Sequence, residues 1–187
     1  IMEHIVKDHE YIANDFSLTP LSNGAILYGL NMSGKSTFTR SVGVNIIMAQ
    51  AGLFVPCSLF EFYPYNDIIS KMSIYDRPFK NQSTFAVELQ DIKAILPKAN
   101  KNTIVLSDEM FCSTDHFSSN GLVSATLLIL DNKQCSFVFS THLHEIQNIK
   151  EIVERKNIKI YHFNVNVKDN KLQFDRKIVH GNMNLSY

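Results

Sequence analysis

The chain has 187 residues, 45% of them apolar, and its 18 Lys and Arg balance 18 Asp and Glu. That length fits one domain, read here as spanning 1–187, and the apolar share excludes a disordered chain. Neutral charge argues against a stand-alone nucleic-acid binder. The three widely spaced cysteines (Cys57, Cys112, Cys135) argue against a disulfide framework and a zinc site, and no apolar run is long enough to span a membrane.

The first strand runs from Gly24 to Gly29. A glycine-rich turn follows, then a helix from about Lys35 to Ala51 with Phe38, Val42, Ile46 and Ala49 on one face. Gly52 and Pro56 end it. Leu59–Tyr63 and Asp67–Ile74 read as short strands about a Pro64/Asn66 turn. A second helix places Phe85, Leu89, Ile92 and Ile95-Leu96 on one face and stops before Pro97. Thr103–Ser107 has the β-branched composition of a strand buried on both faces. Ser118–Asn120 cap a helix from Gly121 to about Leu130, Ser136–Ser140 is another buried strand, and His144–Ile149 is helical. Ile158–Val167 and Lys171–Val179 alternate across Asp169-Asn170 as an antiparallel hairpin. Strands alternating with helices predict an α/β fold with a mostly parallel sheet flanked by helices, and ligands at the strands' carboxyl ends.

Gly29-Leu-Asn-Met-Ser-Gly34-Lys35-Ser36-Thr37 matches G-x-x-x-x-G-K-[ST] between a strand and a helix. Backbone N–H groups of such a loop curl around phosphate oxygens, and the helix offers its positive end to the same anion. Lys35 reaches the β- and γ-phosphates and Ser36 ligates Mg²⁺. Ile104–Glu109 supplies the second half. Asp108 at a strand end holds hydrated Mg²⁺, and Glu109 orients and deprotonates water. An apolar strand ending in Asp-Glu is also an ordinary solvated strand end, and it is the phosphate loop that favours the functional reading. The chain has no guanine-reading Asn-Lys-x-Asp, which points to ATP rather than GTP. His142 follows the next strand, where it either hydrogen-bonds the γ-phosphate or the attacking water, or is a capping or surface residue.

These motifs resemble the ATPase domain of the MutS mismatch-repair family, a P-loop NTPase domain of the ABC-ATPase-like type, over nearly all of the chain. The loop resembles the family's Gly-Pro-Asn-Met-Gly-Gly-Lys-Ser-Thr, with Asn31, Met32, Ser33, Gly34, Lys35, Ser36 and Thr37 as its nucleotide-binding positions. Ser83–Leu89 resembles Ser-Thr-Phe-Met-Val-Glu-Met, and Tyr11–Asn14 resembles Phe-Ile-(Ala/Pro)-Asn. Thr141–Ile146 resembles Thr-His-Tyr-Phe-Glu-Leu, and the stretch from His180 to Tyr187 resembles the family's Gly-x-x-x-x-Ser-Tyr-Gly ending.

The resemblance implies that Tyr11 stacks on adenine beside Asn14, with Arg176 on the other face. It implies that Ser83 caps a partner subunit's γ-phosphate in trans, and that ATP and Mg²⁺ are bound between two MutS-type subunits. DNA would be contacted by domains outside this chain, which reads as a fragment of an intracellular, non-membrane protein. An ABC-like ATPase of another recombination or transport machine is the alternative, and it lacks its Leu-Ser-Gly-Gly-Gln signature here. A non-catalytic dimerisation module is disfavoured by Lys35, Asp108 and Glu109.

The chain departs from the family at Leu30, Ser33, Lys80–Gln82 and Met110–Thr114, and it carries extra residues through Asp115–Asn120. The last two segments bear on the dimer contact rather than on the phosphate site.

Overall fold

A computed structural model describes residues 12–72, 84–168 and 171–181. Tyr11, Ser83, the turn at 169–170, the 182–187 tail and the Lys80–Gln82 departure lie outside the described residues. The six strands are β1 (Gly24–Tyr28), β2 (Asp67–Lys71), β3 (Thr103–Asp108), β4 (Ser136–Thr141), β5 (Ile158–Lys168) and β6 (Lys171–His180). The helices are α1 (Lys35–Gln50), α2 (Thr84–Ile95), α3 (His116–Asn132) and a four-residue α4 (Lys150–Val153). The strands form one sheet in the order β2-β3-β4-β1-β5-β6. β2 through β5 pair in parallel, and β6 pairs antiparallel to β5.

Every residue of β1 and β3 is buried, as continuous apolar runs require when helices cover both faces of a sheet. Alternation along β1 sorts the core into two layers. Ala25 and Leu27 join Leu106, Val138 and Ile46 of α1 on one face. Ile26 and Tyr28 join Phe137, Phe139, Leu127 and Ile92 on the other, under α2, α3 and α4. Gly43 lets α1 approach closely, since a Cβ there would lie 2.6 Å from Leu106 Cδ1. Among the described residues no helix is long and apolar enough to cross a membrane.

Four local expectations are corrected. Residues 59–63 form no strand, because no strand among the described residues accepts their backbone groups, and Leu59 and Tyr63 are exposed. Helix α3 starts at His116 rather than Gly121: the Asp115 carboxylate accepts from Ser118 N–H at 2.9 Å and caps it. The extra residues are thus mostly the first turns of a helix. His144–Asn148 is a 3-10 turn rather than an α-helix. On α2, Leu89 is 37% exposed, and the carboxylate-bearing Glu88 is buried in its place.

β5 has a double role: it continues the parallel sheet beside β1 and also forms one arm of the hairpin. The hairpin register slips between Phe163 and Val165, opposite a bulge on β6 where Arg176 has φ of 55°. Asn14 fills the gap. Its Nδ2 donates to Arg176 O at 3.1 Å, and its Oδ1 accepts from Ile178 N–H at 2.8 Å, so one side-chain amide replaces a missing ladder partner.

Candidate functional site

The order β3-β4-β1 sets three parallel strand ends side by side, which brings Asp108-Glu109, Thr141-His142 and the loop after Tyr28 to one edge. The loop is shaped by backbone that few residues adopt. Met32 has φ of 68°, and Gly34, which caps α1, has φ of 113°. Gly29 carries no Cβ because one would lie 2.6 Å from Ser33 Oγ. Ser33 is buried beneath the loop, and its hydroxyl finds no partner among the described residues. No side chain caps α1 and no acidic residue lies in its first turn, so its positive end remains available to an anion.

A cavity of about 410 Å³ opens there. Asn31, Met32, Gly34, Lys35, Ser36 and Thr37 line one side. Asp108 and Glu109 also line the cavity, as does Arg40 one turn further along α1, which sequence reasoning missed. Lys35 Nζ is buried and donates to Gly29 O at 2.7 Å and Leu30 O at 3.2 Å. It also lies 3.6 Å from Glu109 Oε1, so it spans the two halves of the cavity.

Asp108 is only 5% exposed. Ser140, its register neighbour on β4, donates its hydroxyl to Asp108 Oδ1 at 2.5 Å. Sequence reasoning missed this residue too. Glu109 has φ of 51°, and its N–H bonds Ser140 O at 3.0 Å, so the turn after β3 is pinned to β4 in a sparsely populated conformation. Such backbone concentrates at functional sites. His142 is exposed at the end of β4, where its imidazole, the Glu109 carboxylate and the Cys112 thiol lie with ligand atoms within 4.8 Å of one another. Burial of the sulfur, then the carboxylates of Glu109, Glu88 and Asp108, push the Cys112 thiol up to about 12, with Lys35 opposing. His144 stacks on Tyr28 with centroids 5.8 Å apart, and burial holds its pKa below the ordinary value against the opposing pull of Glu145.

The expected residues that the structure describes therefore fall into two groups. Asn31, Met32, Gly34, Lys35, Ser36, Thr37, Asp108 and Glu109 share the cavity, with Ser33 beneath it and His142 beside Glu109. Asn14 and exposed Arg176 meet each other at the hairpin and do not line that cavity.

Residues 25–187 match the family model described as MutS domain V. The chain belongs to the MutS family. It is 37% identical over 164 residues to a mutS homologue from Acanthamoeba polyphaga mimivirus, covering 85% of this chain and 15% of that one. The mitochondrial DNA mismatch repair protein mutS homologue of Sarcophyton glaucum is 36% identical over 182 residues, 97% of this chain and 18% of the relative. The DNA mismatch repair protein MutS of Prochlorococcus marinus (strain MIT 9301) is 36% identical over 188 aligned residues, 100% of this chain and 20% of the relative. The chain thus spans a fifth or less of these MutS relatives' length.

Proposed function

We propose that this MutS domain is a P-loop ATPase of the ABC-like type that binds and hydrolyses ATP within an intracellular mismatch-repair protein. The observation that carries the reading is Lys35, whose ammonium joins the glycine loop to Glu109 across a cavity that α1 faces with its uncapped end. Relatives named as DNA mismatch repair proteins support the wider role.

The loop N–H groups and Lys35 hold the β- and γ-phosphates and bear their negative charge. Ser36 and Asp108 offer hard oxygen donors to one cavity, which suits Mg²⁺, and they are the residues that would hold it. Bound Mg²⁺ supplies charge neutralisation between the phosphates. Ser140 keeps Asp108 in place. Glu109 takes the proton of the attacking water at its carboxylate, and His142 donates a hydrogen bond to the transferred phosphoryl group or to that water.

Tyr11, Asn14 and Arg176 hold the adenine, and Ser83 of a second MutS-type subunit completes the site in trans. Nucleotide then controls how other domains clamp DNA.

Calorimetric titration of Mg-ATP tests the reading. Lys35→Ala weakens binding by removing the cation over the phosphates, whereas unchanged affinity would overturn the phosphate-loop assignment.

A further inference from the structure

The glycine cavity does not account for the Cys112 thiol. The cysteine spacing gives no sign of a metal site, yet folding brings Cys112 to His142 and Glu109, with their three ligand atoms within 4.8 Å of one another. We propose that Glu109, Cys112 and His142 form a Zn²⁺ site, and that the bound ion holds the ATPase off by occupying Glu109. Binding of the ion stands on this geometry alone, whereas the block of hydrolysis rests on the ATPase reading.

The donor set decides the ion. Thiolate, imidazole and carboxylate together select Zn²⁺, whereas Mg²⁺ takes oxygen donors. Three protein ligands leave a fourth tetrahedral position for water. Bonds of about 2.0–2.3 Å place tetrahedral ligands roughly 3.3–3.8 Å apart, so the donors need close by no more than about 1.5 Å. Cys112 and His142 are exposed, which gives the ion an entry path and the side chains room for that movement. The backbone already holds the three segments together. Glu109 N–H is bonded to Ser140 O, two residues before His142, and Cys112 Sγ donates to Glu109 O at 3.1 Å. Carboxylates of Glu88, Asp108 and Glu109 outweigh the Lys35 ammonium about the sulfur, and the net negative potential favours a dication. On binding, Cys112 releases its thiol proton to solvent and His142 ligates as neutral imidazole. A carboxylate that ligates Zn²⁺ no longer accepts a proton from water.

Co²⁺ is the spectroscopic probe. Titrated into the full chain, it should give a tetrahedral visible spectrum with a thiolate charge-transfer band that Zn²⁺ abolishes. Cys112→Ser and His142→Ala should each weaken binding by about 100-fold or more, and Cys57→Ser should leave it intact. In Mg-ATP turnover, saturating Zn²⁺ should slow the wild-type chain by about tenfold or more, because a general base contributes ~10²-fold or more. Cys112→Ser should keep its own metal-free rate. A charge-transfer band that survives Cys112→Ser, or is lost with Cys57→Ser, would overturn the site. A Co²⁺ spectrum as expected, in a chain that does not bind Mg-ATP in calorimetry, would uphold the site and sink the nucleotide reading instead. Normal turnover with Zn²⁺ bound would overturn the block.

Discussion

Ser140→Ala probes the link between β4 and the strand that carries Asp108. Ser140 and Asp108 are register partners on β4 and β3, they are 1% and 5% exposed, and the hydroxyl donates to Oδ1 at 2.5 Å. A hydrogen bond to a charged group contributes about 1.5–3 kcal/mol. Asp108 has other interactions as well, so the low end applies, about 1.5 kcal/mol. For a chain of this size 1 kcal/mol moves Tm by roughly 2–4 °C, so the variant should melt about 3–6 °C lower. The melts belong in chelator, because a ligand that binds the folded state would mask the loss. A double-mutant cycle with Asp108→Ala isolates the pair. Coupling of about 1 kcal/mol or more is expected, and additivity within about 0.5 kcal/mol would refute the reasoning.

Glu109→Gln keeps the shape of the side chain and removes the base, so ATP binding should persist while turnover falls by ~10²-fold or more. Single-turnover kinetics and calorimetry together check this, and equal loss of both would make Glu109 structural. Gly24→Ala places a Cβ 2.2 Å from Phe137 Cζ inside the core, and overpacking of this kind should cost about 1–3 kcal/mol in urea unfolding. A stabilised variant would show that the ring moves freely. His144 favours its neutral form in the fold, so its contribution to stability is present above the unfolded value of about 6.5 and lost as pH falls through the depressed folded value. An NMR titration should place its midpoint below that of a free histidine, and a midpoint at or above it would refute the burial argument.

The parts of the fold legible from sequence are those whose cause is local. β1 and β3 are wholly buried and mostly apolar because both faces are covered, and the glycine loop carries its backbone demands in its own residues. Residues 59–63 have the aromatic composition of a strand, but composition cannot reveal that no partner strand lies beside them among the described residues. At α3, Ser118–Asn120 look like a cap and Gly121 like a start, yet Asp115 reaches Ser118 N–H first and the glycine falls inside the helix. The site divides in the same way. Lys35 and Asp108-Glu109 carry their own motifs. The roles of Ser140 and Cys112 depend on the register of β3 against β4 and on a turn at positive φ, neither of which is written in neighbouring residues.

The place of β1 in the sheet also sets the order in which the chain folds. It is the first of the described strands in sequence, yet both of its partners, β4 and β5, come more than a hundred residues later. Asn23, just before β1, bonds Cys135 across 112 residues. Contacts so distant in sequence bear a large loop-closure entropy and form slowly. β5 and β6, adjacent along the chain, assemble sooner, as do β2 and β3 across α2. An apolar strand therefore waits unpaired while most of the chain is made, exposed to pairing with other chains. The glycine loop takes its shape only when that wait ends, so the cavity it lines marks the completion of folding rather than an early stage of it.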